Sequence, residues 1–283
     1  MRQFFYIPAF TLLLITLLAV AAGELLSRPV NQTIGAAPSD IKAETVVLQT
    51  LAKESIAGWF IKGTAGHGVV LLLHGIRADR RQMLDRAKFL NRDGYSVLLI
   101  DLLAHGESTG ERITFGFHEA DGVNAALTYL IQRLPNEKIA VIGVSLGAAS
   151  LVLSAIHPPL SAVVLESMFP TIAEAVTDRL KLHVGTIGSY FAPLLLWQLP
   201  IKVGVSAEQL QPIMKLPSLH APVLIASGSE DHHTTFAETQ RLFQAANTPK
   251  ELWIVKGAAH EDLHAFDSRA YETRISTFLA KYL

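Results

Sequence analysis

The run Ile139-Ala140-Val141-Ile142-Gly143-Val144-Ser145-Leu146-Gly147-Ala148-Ala149 opens on apolar, mostly β-branched residues and closes on small ones. Its first part reads as a strand buried on both faces, which is apolar without alternation. Its second part opens a helix predicted over Gly147–Ile156. Between them, Gly143-Val144-Ser145-Leu146-Gly147 sets a serine on a sharp turn, with glycines two residues to either side where a Cβ would clash. At ~7% Gly and Ser per position, such a string arises by chance in about one chain of this length in ten. Its position between strand and helix is therefore what makes it informative.

Short apolar runs bounded by Gly, Pro or Asp recur on both sides: Thr45–Leu48, Ile56–Ile61, Val69–Leu73, Ser96–Ile100, Ala162–Leu165, Val223–Ala226 and Leu252–Val255. Segments with helical spacing lie among them at Arg80–Arg92, His118–Arg133, Phe236–Ala245 and Ser268–Tyr282. No helix separates the first two strands, which predicts an antiparallel edge. The rest alternates strand and helix, so the fold class is α/β, with a mostly parallel, eight-stranded, doubly wound sheet. Ligands bind such sheets at the carboxyl ends of the strands. Met168–His220 breaks the alternation and holds the uncharged run Tyr190–Trp197. It predicts a small helical lid over the strand ends, the alternative being an ordinary crossover helix.

Half of the 283 residues are hydrophobic and 17% are charged, against ~25% charged in a typical soluble domain, and the mean hydropathy is +0.32. This composition excludes intrinsic disorder. A net charge of −1 provides no basic field for nucleic acid. Without cysteine the chain has no disulfide, thiolate zinc site or cysteine nucleophile. Gln3 to Gly23 carries no charge and, as a helix, would span ~30 Å, about one bilayer core. Residues 1–23 are expected to be a single-pass membrane anchor. The alternatives are a signal peptide cleaved near Ala19-Val20-Ala21, with secretion of the mature chain, and a buried hydrophobic helix. Arg2 before the segment favours an inside N-terminus and a body outside the cytoplasm. Residues 24–44, with Pro29, Asn31, Gly35, Pro38, Ser39 and Asp40, read as a linker, and 45–283 as the folded domain with residues 168–220 as its lid.

A serine hydroxyl needs a base, and the base an orienting acid. Asp231 follows the strand Val223–Ala226, and His260 follows Leu252–Val255 through Gly257-Ala258-Ala259. Ser145 is expected as nucleophile, His260 as general base and then acid, and Asp231 as the orienting carboxylate, with Glu230 the rival acid. Oxyanion donors are expected from the backbone N–H of Leu146, at the start of the elbow helix, and of Ile76, on the loop His74-Gly75-Ile76 after Val69–Leu73.

Together with Val69–Arg81 and Asp101-Leu102-Leu103-Ala104-His105-Gly106-Glu107-Ser108, these motifs over residues 45–283 resemble the α/β-hydrolase superfamily. The nearest likeness is to its serine aminopeptidase-like or lysophospholipase-like branch. The resemblance implies the α/β-hydrolase fold and a Ser–His–Asp hydrolase without cofactor, most members cleaving esters and some amides or thioesters. Arg77-Ala78-Asp79-Arg80-Arg81 departs from the family's common pattern.

Other features compete. His260-Glu261-Asp262-Leu263-His264 matches the zinc-peptidase motif His-Glu-x-x-His. It begins straight after a strand, no histidine follows it, and Glu272 is the sole later glutamate, so no metal is expected and His264 is expected at the surface or bracing the site. Asp231-His232-His233 reads as a loop without further metal ligands, one of its histidines being free to line the pocket. Arg77, with Arg80 and Arg81, is a candidate for binding a substrate carboxylate or phosphate, the alternative being a solvated helix face. His74 is a candidate substrate-binding residue, though a structural loop role suits it better, and His105 and Ser108 are expected to brace their loop. The function expected is a membrane-tethered serine hydrolase acting on a small-molecule or lipid acyl ester. The alternatives are an acyltransferase or peptidase with the same triad, or a non-catalytic membrane-anchored binding module.

Overall fold

A computed structural model describes residues 6–154 and 159–283. After helix α1 (Tyr6–Ser27) and a two-residue strand β1 (Val30–Asn31), the chain enters the main sheet with β2 (Ala43–Gln49), β3 (Ser55–Ile61) and β4 (Val69–Leu73). A 3-10 turn at Arg80–Met83 leads into α2 (Leu84–Arg92). β5 (Ser96–Ile100), the two-residue β6 (His105–Gly106), α3 (Glu119–Arg133), β7 (Ile139–Val144), α4 (Leu146–Leu153) and β8 (Ala162–Glu166) follow. Next come α5 (Ile172–Val184), α6 (Ala192–Leu196), α7 (Leu199–Val203) and α8 (Pro212–Lys215). β9 (Val223–Gly228), α9 (Phe236–Ala245), β10 (Lys250–Val255), α10 (Leu263–Phe266) and α11 (Ser268–Leu279) complete the chain.

The main sheet has eight strands in the order β10-β9-β8-β7-β4-β5-β3-β2. β2 pairs antiparallel with β3, and β3 with β5, while the other neighbours run parallel. Every residue of β4 and β7 is buried. Val69, Leu71 and Leu73 face one core layer, and Val70 and Leu72 the other, as the two-residue period of a strand requires. From β4 the chain moves one way to β5 and the other way to β7, so these adjacent strands flank a switch point where loops splay apart. Their register pairs Leu73 with Gly143, which puts the loop after β4 beside the serine turn.

The segment 168–220 is largely helical and lies between β8 and β9. The elbow helix is described as far as Leu153, and its expected end at Ile156 lies outside the described residues. So do residues 1–5 of the expected anchor. Among the described residues no helix is long and apolar enough to cross a membrane. Residues 24–44, expected as a linker, lie against the body: β1 pairs with β6, Gln32 Nε2 donates to Asp79 Oδ2 at 2.8 Å, and the N–H groups of Ile34 and Gly35 donate to Glu107 Oε1.

Arg80 corrects both readings offered for it. It is fully buried, paired with Asp101 and Glu107, with its guanidinium 4.4 Å from the centre of the Trp59 ring. It therefore binds no substrate and faces no solvent. Arg81 pairs with Asp79 at 2.8 Å.

Candidate active site

Ser145 holds φ +48° and ψ −103°, a conformation that costs a non-glycine residue about 1–3 kcal/mol. The turn is enforced from both sides. A Cβ on Gly147 would lie 2.5 Å from Leu73 O and 2.7 Å from His74 O, and one on Gly143 would lie 2.7 Å from Ala148 N. Gly147→Ala is therefore expected to cost roughly 1–3 kcal/mol by forcing backbone apart. Urea unfolding measures this, and an unchanged midpoint would contradict it.

Asp231 and His260 meet as expected. His260 Nδ1 donates to Asp231 Oδ2 at 2.8 Å, and Asp231 Oδ1 accepts the N–H groups of His233 and Thr234 at 2.9 and 2.8 Å. Burial pushes the Asp231 carboxyl up, but the His260 bond and charge and those two N–H groups outweigh it and hold it below the usual value. It is thus an anion at neutral pH, fit to orient an imidazole. Glu230 is exposed and its carboxylate accepts from Ser229 Oγ at 3.2 Å, so the histidine's partner is Asp231. Among the described residues no hydrogen bond joins Ser145 Oγ to His260. Such contacts often tighten only once substrate is bound.

Beside the turn, the loop after β4 spends its amides selectively. Gly75 N donates to Gln82 Oε1 at 2.8 Å and Arg77 N to His105 Nε2 at 3.1 Å, leaving Ile76 N–H unpaired among the described residues. Leu146 opens α4, so its N–H is among those that no intrahelical carbonyl takes. Ile76, Ser145 and Leu146 line one pocket, so two backbone amides without a partner among the described residues belong to the same pocket as the hydroxyl.

His74 is fully buried, with Nδ1 on Gly75 O at 2.7 Å and Nε2 accepting from Leu102 N at 3.0 Å. Both nitrogens are occupied and none is left for substrate. His105 is likewise buried, with Nδ1 on Leu103 O, and Ser108 Oγ bonds Asp101 O and Ala57 N. Arg77 is exposed, its guanidinium on Leu25 O at 3.1 Å.

Burial lowers His74 to about 4, and burial followed by the neighbouring His74 lowers His105 to about 4. Between their ordinary value of 6.5 and about 4 the unfolded chain binds protons that the folded chain excludes. The stability they contribute is present above pH 6.5 and is lost as pH falls through this window. The urea midpoint is therefore expected to drop from neutral pH to about pH 5, and less steeply in His105→Gln. A midpoint flat across that range would refute this.

The pocket above Ser145 is mostly apolar. Phe169 and α5 residues Ile172, Ala175 and Val176 form one side, and Leu195, Leu196, Leu199 and Val203 from α6 and α7 another. A third wall comes from the end of α1, through Gly23, Leu26 and Ser27. Gln198 Nε2 fastens the two by donating to Ala19 O and Leu194 O at 3.1 and 3.0 Å, as does Glu24 by pairing with Lys202 at 2.9 Å.

Comparison with known proteins agrees with this fold. The alpha/beta hydrolase fold family matches residues 68–212. The chain belongs to the α/β-hydrolase fold family. An uncharacterized protein of Mycobacterium tuberculosis is 31% identical over 240 residues, covering 83% of this α/β-hydrolase and 79% of the relative. A thermostable monoacylglycerol lipase of a Bacillus strain is 27% identical, over 75% of this chain and 90% of its own. An esterase structure from Pyrococcus furiosus shares the fold, with a TM-score of 0.73 at 23% identity, covering 91% of this chain and 98% of its own.

The zinc-peptidase string is taken apart in this α/β-hydrolase. α10 begins only at Leu263, capped by Asp262, so His260 lies on the preceding loop and shares no helix face with His264. His264 is buried rather than at the surface, stacked on Phe89 at 5.7 Å with Nε2 3.3 Å from Glu272 Oε1. Of the paired loop histidines, His232 is exposed while His233 stacks on His260 at 4.9 Å and 20°.

The sequence reading did not single out Arg86, the hub of this part of the hydrolase. Buried, it pairs with Glu166 at 2.7 Å and Asp262 at 2.8 Å. Glu166 O in turn accepts Ser145 N–H at 2.8 Å, and Asp262 lies two residues beyond His260, so one guanidinium holds both loops. No local pattern marks such a residue. The wall built by α5 was more accessible, since Ile172, Ala175, Val176 and Arg179 repeat at helical spacing.

Proposed function

We propose that this α/β-hydrolase is a membrane-tethered serine hydrolase that cleaves an acyl ester, lipid-like or small, through an acyl-enzyme on Ser145. Ser145 Oγ attacks the ester carbonyl as His260 Nε2 takes its proton, with Asp231 holding the imidazole from the other side. The Ile76 and Leu146 N–H groups receive the oxyanion. His260 returns the proton to the departing alcohol and then draws one from the water that releases the acid. The observation that carries this reading is a serine on a strained turn that opens, between two unpaired amides, into an apolar pocket. The likeness to the monoacylglycerol lipase and to the lysophospholipase-like branch supports an acyl ester as the bond cleaved.

Tethering rests on α1, where Phe10, Leu13, Leu17 and Leu18 are each more than half exposed. Arg2 ahead of this helix supports a body outside the cytoplasm. The test of chemistry is labelling by a fluorophosphonate, together with turnover of para-nitrophenyl esters of increasing chain length. Labelling of the wild type with turnover rising beyond acetate is expected, and a folded protein that takes no label would overturn the mechanism. For tethering, full-length protein is expected to pellet with membranes through a high-salt wash and to leave them in detergent; release by salt alone would overturn it.

A further inference from the structure

Arg179 is a cation of the pocket without an ion pair among the described residues. It lines the pocket with Ser145, on the face of α5 that also presents Ile172, Ala175 and Val176. Its guanidinium makes one hydrogen bond, from Nη1 to Ala175 O one turn back at 3.2 Å, and no ion pair among the described residues. The neighbouring cations are all engaged: Lys202 by Glu24 at 2.9 Å, Lys181 by Asp178 at 3.3 Å and Arg241 by Glu174 at 2.6 Å. Burial pulls Arg179 below the ordinary arginine value, by more than the fields of Asp231, Asp178 and Glu238 raise it. The same guanidinium bears on His233, the ring stacked on His260, so it lies on the triad side of the pocket.

A guanidinium carries five donors in a planar fork. Partly removing it from water without an ion-pair partner carries a cost, and a two-oxygen anion is the partner that fits it. Arg77, by contrast, is exposed and turned onto Leu25 O. We propose that Arg179 is the recognition site for an anionic group, a phosphate or a carboxylate, carried by the substrate of this hydrolase. The pocket then selects an amphiphile: its apolar walls take the chain, and Arg179 takes a charged oxygen group on the same molecule. This deepens the ester-hydrolase reading and rests on it for the identity of the bond cleaved.

Binding to full-length Ser145→Ala by titration calorimetry tests the site apart from turnover. Octyl phosphate and octanoate are the anionic probes and octanol the neutral one. At least one anion is expected to bind roughly tenfold or more tighter than octanol, and which of the two does so separates phosphate from carboxylate. Adding Arg179→Gln is expected to erase that advantage, and Arg179→Lys to restore part of it. Kinetics supply a second readout, the ratio of kcat/KM for mono-para-nitrophenyl succinate to that for para-nitrophenyl butyrate. That ratio is expected to fall in Arg179→Gln, whereas a merely structural arginine would lower both values together. Equal binding of octanol and both anions, or an anion advantage that survives Arg179→Gln, overturns the proposal while leaving ester hydrolysis intact. Anion-selective binding in a protein that cleaves neither ester would instead overturn the hydrolase reading and leave the anion site standing.

Discussion

Ser145→Ala is expected to lower ester turnover by about 10⁴- to 10⁶-fold, the range that loss of a triad nucleophile produces. What remains would come from the pocket and from the Ile76 and Leu146 amides, which the substitution leaves in place. Stability tells a separate story at the same residue. Alanine keeps the Cβ at φ +48°, so the strain persists and the unfolding free energy should hardly move. Ser145→Gly removes the Cβ and is expected to stabilise the fold by about 1–2 kcal/mol while being as inactive as alanine. Matching losses of activity with different stabilities would mark the turn as strain retained for chemistry. Turnover within tenfold of wild type in Ser145→Ala would remove Ser145 from the mechanism.

Arg86→Met is expected to be the most destabilising single change at this site. Arg86 Nε donates to Tyr271 Oη at 2.9 Å, and its guanidinium lies 4.8 Å from the centre of that ring. The Glu166 carboxylate is as buried as Arg86 and would keep Tyr271 alone. Breaking a buried pair in this way costs about 3–5 kcal/mol, mostly as the uncompensated charge left behind. Adding Glu166→Gln should therefore recover part of the loss, which a simple volume defect would not allow. Fluorophosphonate labelling should slow as well, since Arg86 restrains the loops bearing Ser145 and His260. A loss near 1 kcal/mol, as for an exposed pair, would show that the network is not a restraint.

How much of this was legible beforehand follows from the range of the interactions involved. The inner strands, β4, β5, β7, β8 and β9, were readable because burial on both faces leaves an uninterrupted apolar run. The antiparallel leading pair was readable because no helix lies between β2 and β3. The serine turn was readable because its steric demand falls on glycines two residues away. Asp231 and His260 were found by position, each on a loop at the end of a strand. Arg77, Arg80 and Arg81 looked alike in sequence. The fold exposes the first, buries the second between Asp101 and Glu107 and pairs the third with Asp79. Its partners Asp101 and Glu107 lie beyond the next helix and strand, and nothing in the local pattern names them.

By itself the sequence determined the α/β architecture and the serine on its turn, because periodicity and near-neighbour sterics are written along the chain. Only the tertiary structure decided that α1 walls the pocket, that Arg86 joins the loops bearing Ser145 and His260 and that Arg179 stands there without an ion pair among the described residues. Burial, charge pairing and pocket lining are properties of residues brought together from distant positions, and no local pattern records which partner a side chain will meet.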